Sequence, residues 1–69
     1  MNKLHEARKA AGLTAYQLAT AASTREPRIY AFERDRYRPR VDEAQRIADV
    51  LHCDAAELFP SVFGGQSHE

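Results

Sequence analysis

A single cysteine, Cys53, excludes an intramolecular disulfide. No apolar run approaches the length of a signal-peptide core or a membrane span, so the chain is expected in the cytoplasm. Glycine and proline number three each and fall between periodic segments, and neither an internal repeat nor a strand-like alternation is present. A chain of 69 residues is too short to enclose a large active site, because a domain of this size buries only about 60% of its unfolded surface. No sensor or protease-like second domain is expected within these 69 residues either. Net charge is also missing: ten basic and ten acidic residues balance, which at first sight argues against a polyanionic partner.

The balance hides a lopsided distribution. Residues 1–40 hold nine basic and four acidic residues, a net +5, whereas residues 41–69 hold only Arg46 against six acids, a net −5. A basic half can face a polyanion while the whole chain stays neutral. Hydrophobic residues make up 43% and charged ones 29%, a globular balance. One folded unit is expected over residues 1–60, followed by a flexible tail over residues 61–69.

Apolar spacing predicts helices throughout. Leu4, Ala7 and Ala11 place a first helix over residues 2–11, with Asn2 as a cap and Gly12 as a stop. Thr14 caps a second helix beginning at Ala15 and ending at Ala21 or Ala22, with Leu18, Ala19 and Ala22 inward. After the break at Ser23 and Thr24, Pro27 sits in the first turn of a third helix that buries Ile29 and Phe32. Asp35 to Arg40 reads as a loop, and Val41, Ala44, Ile47, Ala48 and Leu51 form the stripe of a fourth helix. Asp54 with Glu57 starts a short fifth helix through Leu58 and Phe59, which Pro60 closes.

Two short helices joined by a tight turn and followed by a basic loop are the parts of a helix-turn-helix, whose second helix lies in the major groove. The ordered spacing of Gly12, Thr14, Leu18, Ala19, Ile29, Glu33, Pro39, Ile47, Ala48, Leu51 and Leu58 resembles the phage-repressor, Cro/CI or XRE-type helix-turn-helix family. The resemblance covers Gly12 to Phe59, and Arg8 extends it into the first helix. It implies an all-α, five-helix lambda-repressor-like domain that binds double-stranded DNA sequence-specifically, as a small transcriptional regulator of the phage or mobile-element repressor type. Such proteins act without a cofactor and usually as a homodimer. Three departures stand out: Ser23 and Asp35 replace glycines of the pattern, at a cost of about 1 kcal/mol each if their backbone is left-handed, and Ala15 replaces a phosphate-touching glutamine.

Within this frame Arg25, Glu26, Pro27, Arg28, Tyr30 and Ala31 are the expected base-reading face. Arginine can fork onto guanine, glutamate can accept from cytosine and an apolar group can meet a thymine methyl. The alternative reading of the same residues is the solvated face of an ordinary helix, which the family spacing disfavours. Arg34, Arg36, Tyr37, Arg38 and Arg40, with Thr14 and Tyr16, are expected on phosphates, although some of these arginines can instead pair with Glu33, Asp35 or Asp42. By resemblance Arg8 and Glu33 form a structural ion pair.

Leu58, Phe59, Val62 and Phe63 supply apolar surface for a homodimer. His52 and Cys53 lack the further ligands that a metal site needs; Cys53 is expected as a small core residue and His52 at a helix C-terminus. No nucleophile and base stand at a motif spacing, so no enzyme is expected. Two other readings stay open: an antitoxin-like regulator whose acidic half binds a protein partner, and an interaction module that has lost DNA binding.

Overall fold

The computed structural model of the chain describes residues 3–63. It contains α1 (Leu4–Ala10), α2 (Ala15–Ala21), α3 (Glu26–Glu33), α4 (Val41–Leu51), α5 (Ala55–Leu58) and α6 (Pro60–Phe63), and no strand among the described residues. The start of α2 is closed by a reciprocal capping box. Thr14 Oγ1 accepts from the N–H of Gln17 at 3.0 Å, and Gln17 Oε1 accepts from the N–H of Thr14 at 2.9 Å.

Four helices end in the same manner. Gly12, Ser23, Asp35 and His52, each just past the last turn of α1, α2, α3 and α4, take φ of 73°, 60°, 59° and 56°. The following N–H then reaches back to a carbonyl of the last turn: Leu13 to Arg8 at 3.2 Å, Thr24 to Ala19 at 2.8 Å, Arg36 to Ala31 at 2.9 Å and Cys53 to Ala48 at 2.9 Å. This closure satisfies carbonyls that a helix end would otherwise strand, and it turns the chain sharply enough for short connections. Only Gly12 adopts it without side-chain strain, so the departures noted at Ser23 and Asp35 do occupy left-handed backbone.

Leu4, Leu18, Ile29, Phe32 and Ile47 are fully buried, and small residues (Ala15, Ala19, Ala22, Ala44, Ala48 and Ala55) let α2, α3 and α4 approach closely. The Phe32 ring meets Phe59 edge-on at 6.3 Å between centroids, joining α3 to the C-terminal helices.

The structure corrects several expectations. Helix α1 begins at Leu4 after Lys3, and Asn2 lies outside the described residues. Val41, expected in the core stripe of α4, is 58% exposed because it is the first residue of the helix and stands clear of the α2–α3 layer. Asp54 caps α5 through the N–H of Ala56 at 3.0 Å, without help from Glu57. Ordered helix continues past Pro60 into α6, so the tail expected from residue 61 does not begin there, and residues 64–69 lie outside the described residues. Leu58 and Phe59 are buried within their own chain, and Val62 and Phe63 pack half-buried on the same core, which removes most of the apolar surface assigned to a dimer. Cys53 is exposed rather than a core residue, since the left-handed turn at His52 carries it outward; its Sγ donates to the carbonyl of Leu51 at 3.4 Å.

Candidate nucleic-acid interface

Helix α3 presents three sides. Ile29, Phe32 and Glu33 face inward, while Pro27, Tyr30, Ala31 and Arg34 point outward and, with Arg36, line a shallow concavity of about 410 Å³. Arg25 and Glu26, the residue before α3 and its first residue, are exposed at the rim. Arg36, Tyr37, Arg38 and Arg40 are exposed on the segment that follows, with buried Pro39 anchoring it to the core. Tyr16 is exposed on the first turn of α2. Thr14 Oγ1 already accepts the capping hydrogen bond, which leaves its hydroxyl proton for a phosphate oxygen. Of the acids that the loop arginines were weighed against, Glu33 is held by Arg8 and Asp42 by Arg46, the latter at 3.3 Å.

Each end of α3 is tied down by a buried carboxylate. At its C-terminal end Arg8 Nε donates to Glu33 Oε2 at 2.6 Å, and His5 Nδ1 stands 3.2 Å from Oε1. Arg8 Nη1 continues to the carbonyl of Leu13 at 3.0 Å, so one guanidinium joins α1, the α1–α2 turn and α3. At the N-terminal end Arg28 donates through Nε and Nη2 to Glu43 on α4, at 2.9 and 2.8 Å, while Thr24 Oγ1 donates to the same carboxylate at 2.8 Å. One turn further along α4, Arg46 Nε donates to the carbonyl of Ala22 at 2.9 Å. No buried side-chain polar atom among the described residues lacks a partner.

Both carboxyls are held below the ordinary glutamate value. Burial pushes Glu33 upward, but hydrogen bonds and charge from Arg8 and His5 outweigh it. For Glu43 the Arg28 hydrogen bonds dominate over burial, and Thr24 adds to them.

Of the expected site residues, Pro27, Tyr30, Ala31, Arg34 and Arg36 are brought together around one concavity, and one expected base reader is turned away. Arg28, expected to read bases, has its guanidinium turned sideways onto Glu43 and over the Phe32 ring, 5.2 Å from the centroid. Thr24, Glu43, Arg46, His5 and Gln17 were not anticipated. Glu43 stands three residues after Arg40, the N-cap of α4, a capping-box spacing that marks it as a candidate partner for backbone near the arginine loop. Gln17 stands at the same spacing after Thr14.

An all-helical bundle whose second and third helices are joined by a four-residue turn, residues 22–25, with the outer face of α3 open, defines a helix-turn-helix protein. The sequence model of the helix-turn-helix family matches residues 4–58, nearly the whole described bundle. The chain belongs to that family, in its XRE-type branch; the family is one of DNA-binding transcription regulators and not a catalytic one. No curated protein and no solved structure matches the chain. No helix among the described residues is long and apolar enough to cross a membrane.

Proposed function

We propose that the chain is a small sequence-specific regulator that lays α3 in the major groove and the arginine segment on the flanking phosphates. The observation that carries this reading is the clustering of exposed large side chains. Tyr16, Tyr30, Tyr37 and Val41 all belong to the start of α2, α3 and the segment running into α4, interleaved there with Arg25, Arg34, Arg36, Arg38 and Arg40. Aromatic hydroxyls and guanidinium forks suit phosphate oxygens, and exposed tyrosines interleaved with arginines offer both.

Arg25, Glu26, Pro27, Tyr30 and Ala31 are the reading set in this proposal, and Arg34, Arg36, Tyr37, Arg38, Arg40, Thr14 and Tyr16 the positioning set. The repressor role is carried over from the family pattern. A homodimer on two-fold sites is retained from the family pattern, its contact lying elsewhere than Leu58 and Phe59.

Selection of bound sequences from a random duplex pool tests the reading. The expected product is a two-fold site with half-site centres about 34–36 Å apart. A single unrepeated half-site would remove the dimer, and recovery of unenriched sequences would remove the regulator.

A further inference from the structure

Glu43 is 6% exposed and lies on a helix that offers no base-reading residue, yet its carboxylate is where the elements of the interface meet. It accepts from Thr24 in the helix-turn-helix turn, from Arg28 in α3 and from the backbone N–H of Arg40 at the end of the arginine segment. Arg46, three residues on, holds the Ala22 carbonyl on the other side of the same turn.

The direction taken by Arg28 bears on what it can read. At about 100° per residue along a helix, Pro27, Tyr30, Ala31 and Arg34 gather on one face, and residue 28 lies on the flank beside Phe32. Its guanidinium stacks inward over that ring, which is 1% exposed, and spends two donors on Glu43. An arginine neutralised by a carboxylate also offers a phosphate little net attraction.

We propose that Glu43 is a specificity-determining positioning residue. By gripping Arg28 it keeps that guanidinium off the duplex, and with Thr24 it steadies the start of α3 against the arginine segment. The inference rests on the DNA-binding reading above. It makes Arg28 a strut whose positive charge is not counted among the DNA contacts.

Salt titrations on a selected and a scrambled duplex test it, together with base preference at each position of the selected site, for the wild-type chain, Glu43→Gln and Arg28→Met. In Glu43→Gln the charge pairing is gone and the released guanidinium reaches phosphate. The scrambled duplex is then bound more tightly, and log K falls more steeply with log salt by about one unit. In Arg28→Met, which keeps the alkyl cover on Phe32, the salt slope and base preference stay those of the wild type while affinity for the selected duplex falls by about two- to tenfold.

A slope shallower by about one unit in Arg28→Met, or loss of choice at one base pair, would overturn the proposal, because Arg28 would then be a contact buttressed by Glu43. It is equally overturned if Glu43→Gln loses stability with slope and preference unchanged. If Glu43→Gln does not fold, Arg28→Met decides alone. A wild-type chain that binds neither duplex removes the DNA-binding reading and the proposal together, a result distinct from any in which the wild type binds and a variant does not behave as stated.

Discussion

The two ends of α3 are tied down by the same chemistry in different settings. At the C-terminal end both partners are enclosed: Glu33 is 4% exposed and the Arg8 side chain 12%. At the N-terminal end Glu43 is equally enclosed, but the Arg28 side chain is 46% exposed. Enclosure decides what is lost when a tie is cut. A stranded group that water cannot reach keeps its full desolvation cost, whereas one at the surface is rehydrated. Cutting the N-terminal tie at Glu43 therefore strands only a guanidinium that water can reach, whereas cutting the C-terminal tie at Arg8 or at Glu33 strands an enclosed group.

The largest expected effect follows at the C-terminal end. Arg8→Ala leaves Glu33 buried with His5 as its remaining side-chain partner and should cost about 3–5 kcal/mol in urea unfolding. The double variant Arg8→Ala/Glu33→Ala should lose less than the two single losses together, since no charge is stranded. Strict additivity would show the two groups to be uncoupled. Cutting the N-terminal tie with Glu43→Ala should cost about 1–2 kcal/mol, because exposed Arg28 returns to water. A loss as large as that of Arg8→Ala would erase the distinction between the ends.

The pH dependence joins the two ties. Both carboxyls are lowered from 4.5, so their contribution is complete above that value and is lost as pH falls through the lower folded values. Acid unfolding followed by circular dichroism should show stability declining below about pH 4.5, with a flatter decline in Glu33→Gln and in Glu43→Gln. An unchanged acid limb in both variants would assign it to other groups.

The smallest effects concern the left-handed residues that flank α3 on either side. Ser23→Gly should stabilise the fold by about 0.5–1 kcal/mol, and Asp35→Gly by less, because aspartate tolerates left-handed backbone through local hydrogen bonding better than serine does. Gly12→Ala should cost about 1 kcal/mol from backbone strain alone, as a Cβ there meets nothing within 4 Å. Thermal unfolding resolves both signs.

Much of the bundle was legible in the sequence because periodicity and caps act locally. Thr14, Leu18, Ile29, Phe32, Ala44 and Ile47 each declare their place through neighbours within one turn. Ser23 and Asp35 were legible as strained positions because the resemblance assigned glycine there. The outward face of α3 was legible as a row of side chains, but the direction of Arg28 was not. It is fixed by Glu43, fifteen residues away, and no local pattern distinguishes an arginine aimed at DNA from one folded onto an acid. Arg46 and the Ala22 carbonyl are separated by 24 residues and were missed for the same reason. The C-terminal residues misled in the opposite direction: four apolar residues in a short segment suggest an uncovered patch, yet Leu58 and Phe59 are buried, Phe59 against Phe32, and Val62 and Phe63 pack on the same core.

The ties to α1 and α4 also set how portable the motif is. A peptide carrying only the helix-turn-helix, residues 14–33, would keep the turn and both helices in sequence but lose Arg8 and Glu43, which hold α3, and Arg46, which holds the turn at Ala22, all from outside the motif. Transplanting the reading face onto another scaffold therefore means carrying over two carboxylate clamps with it, and the smallest transferable unit is the span from α1 through α4 rather than the two helices that give the motif its name.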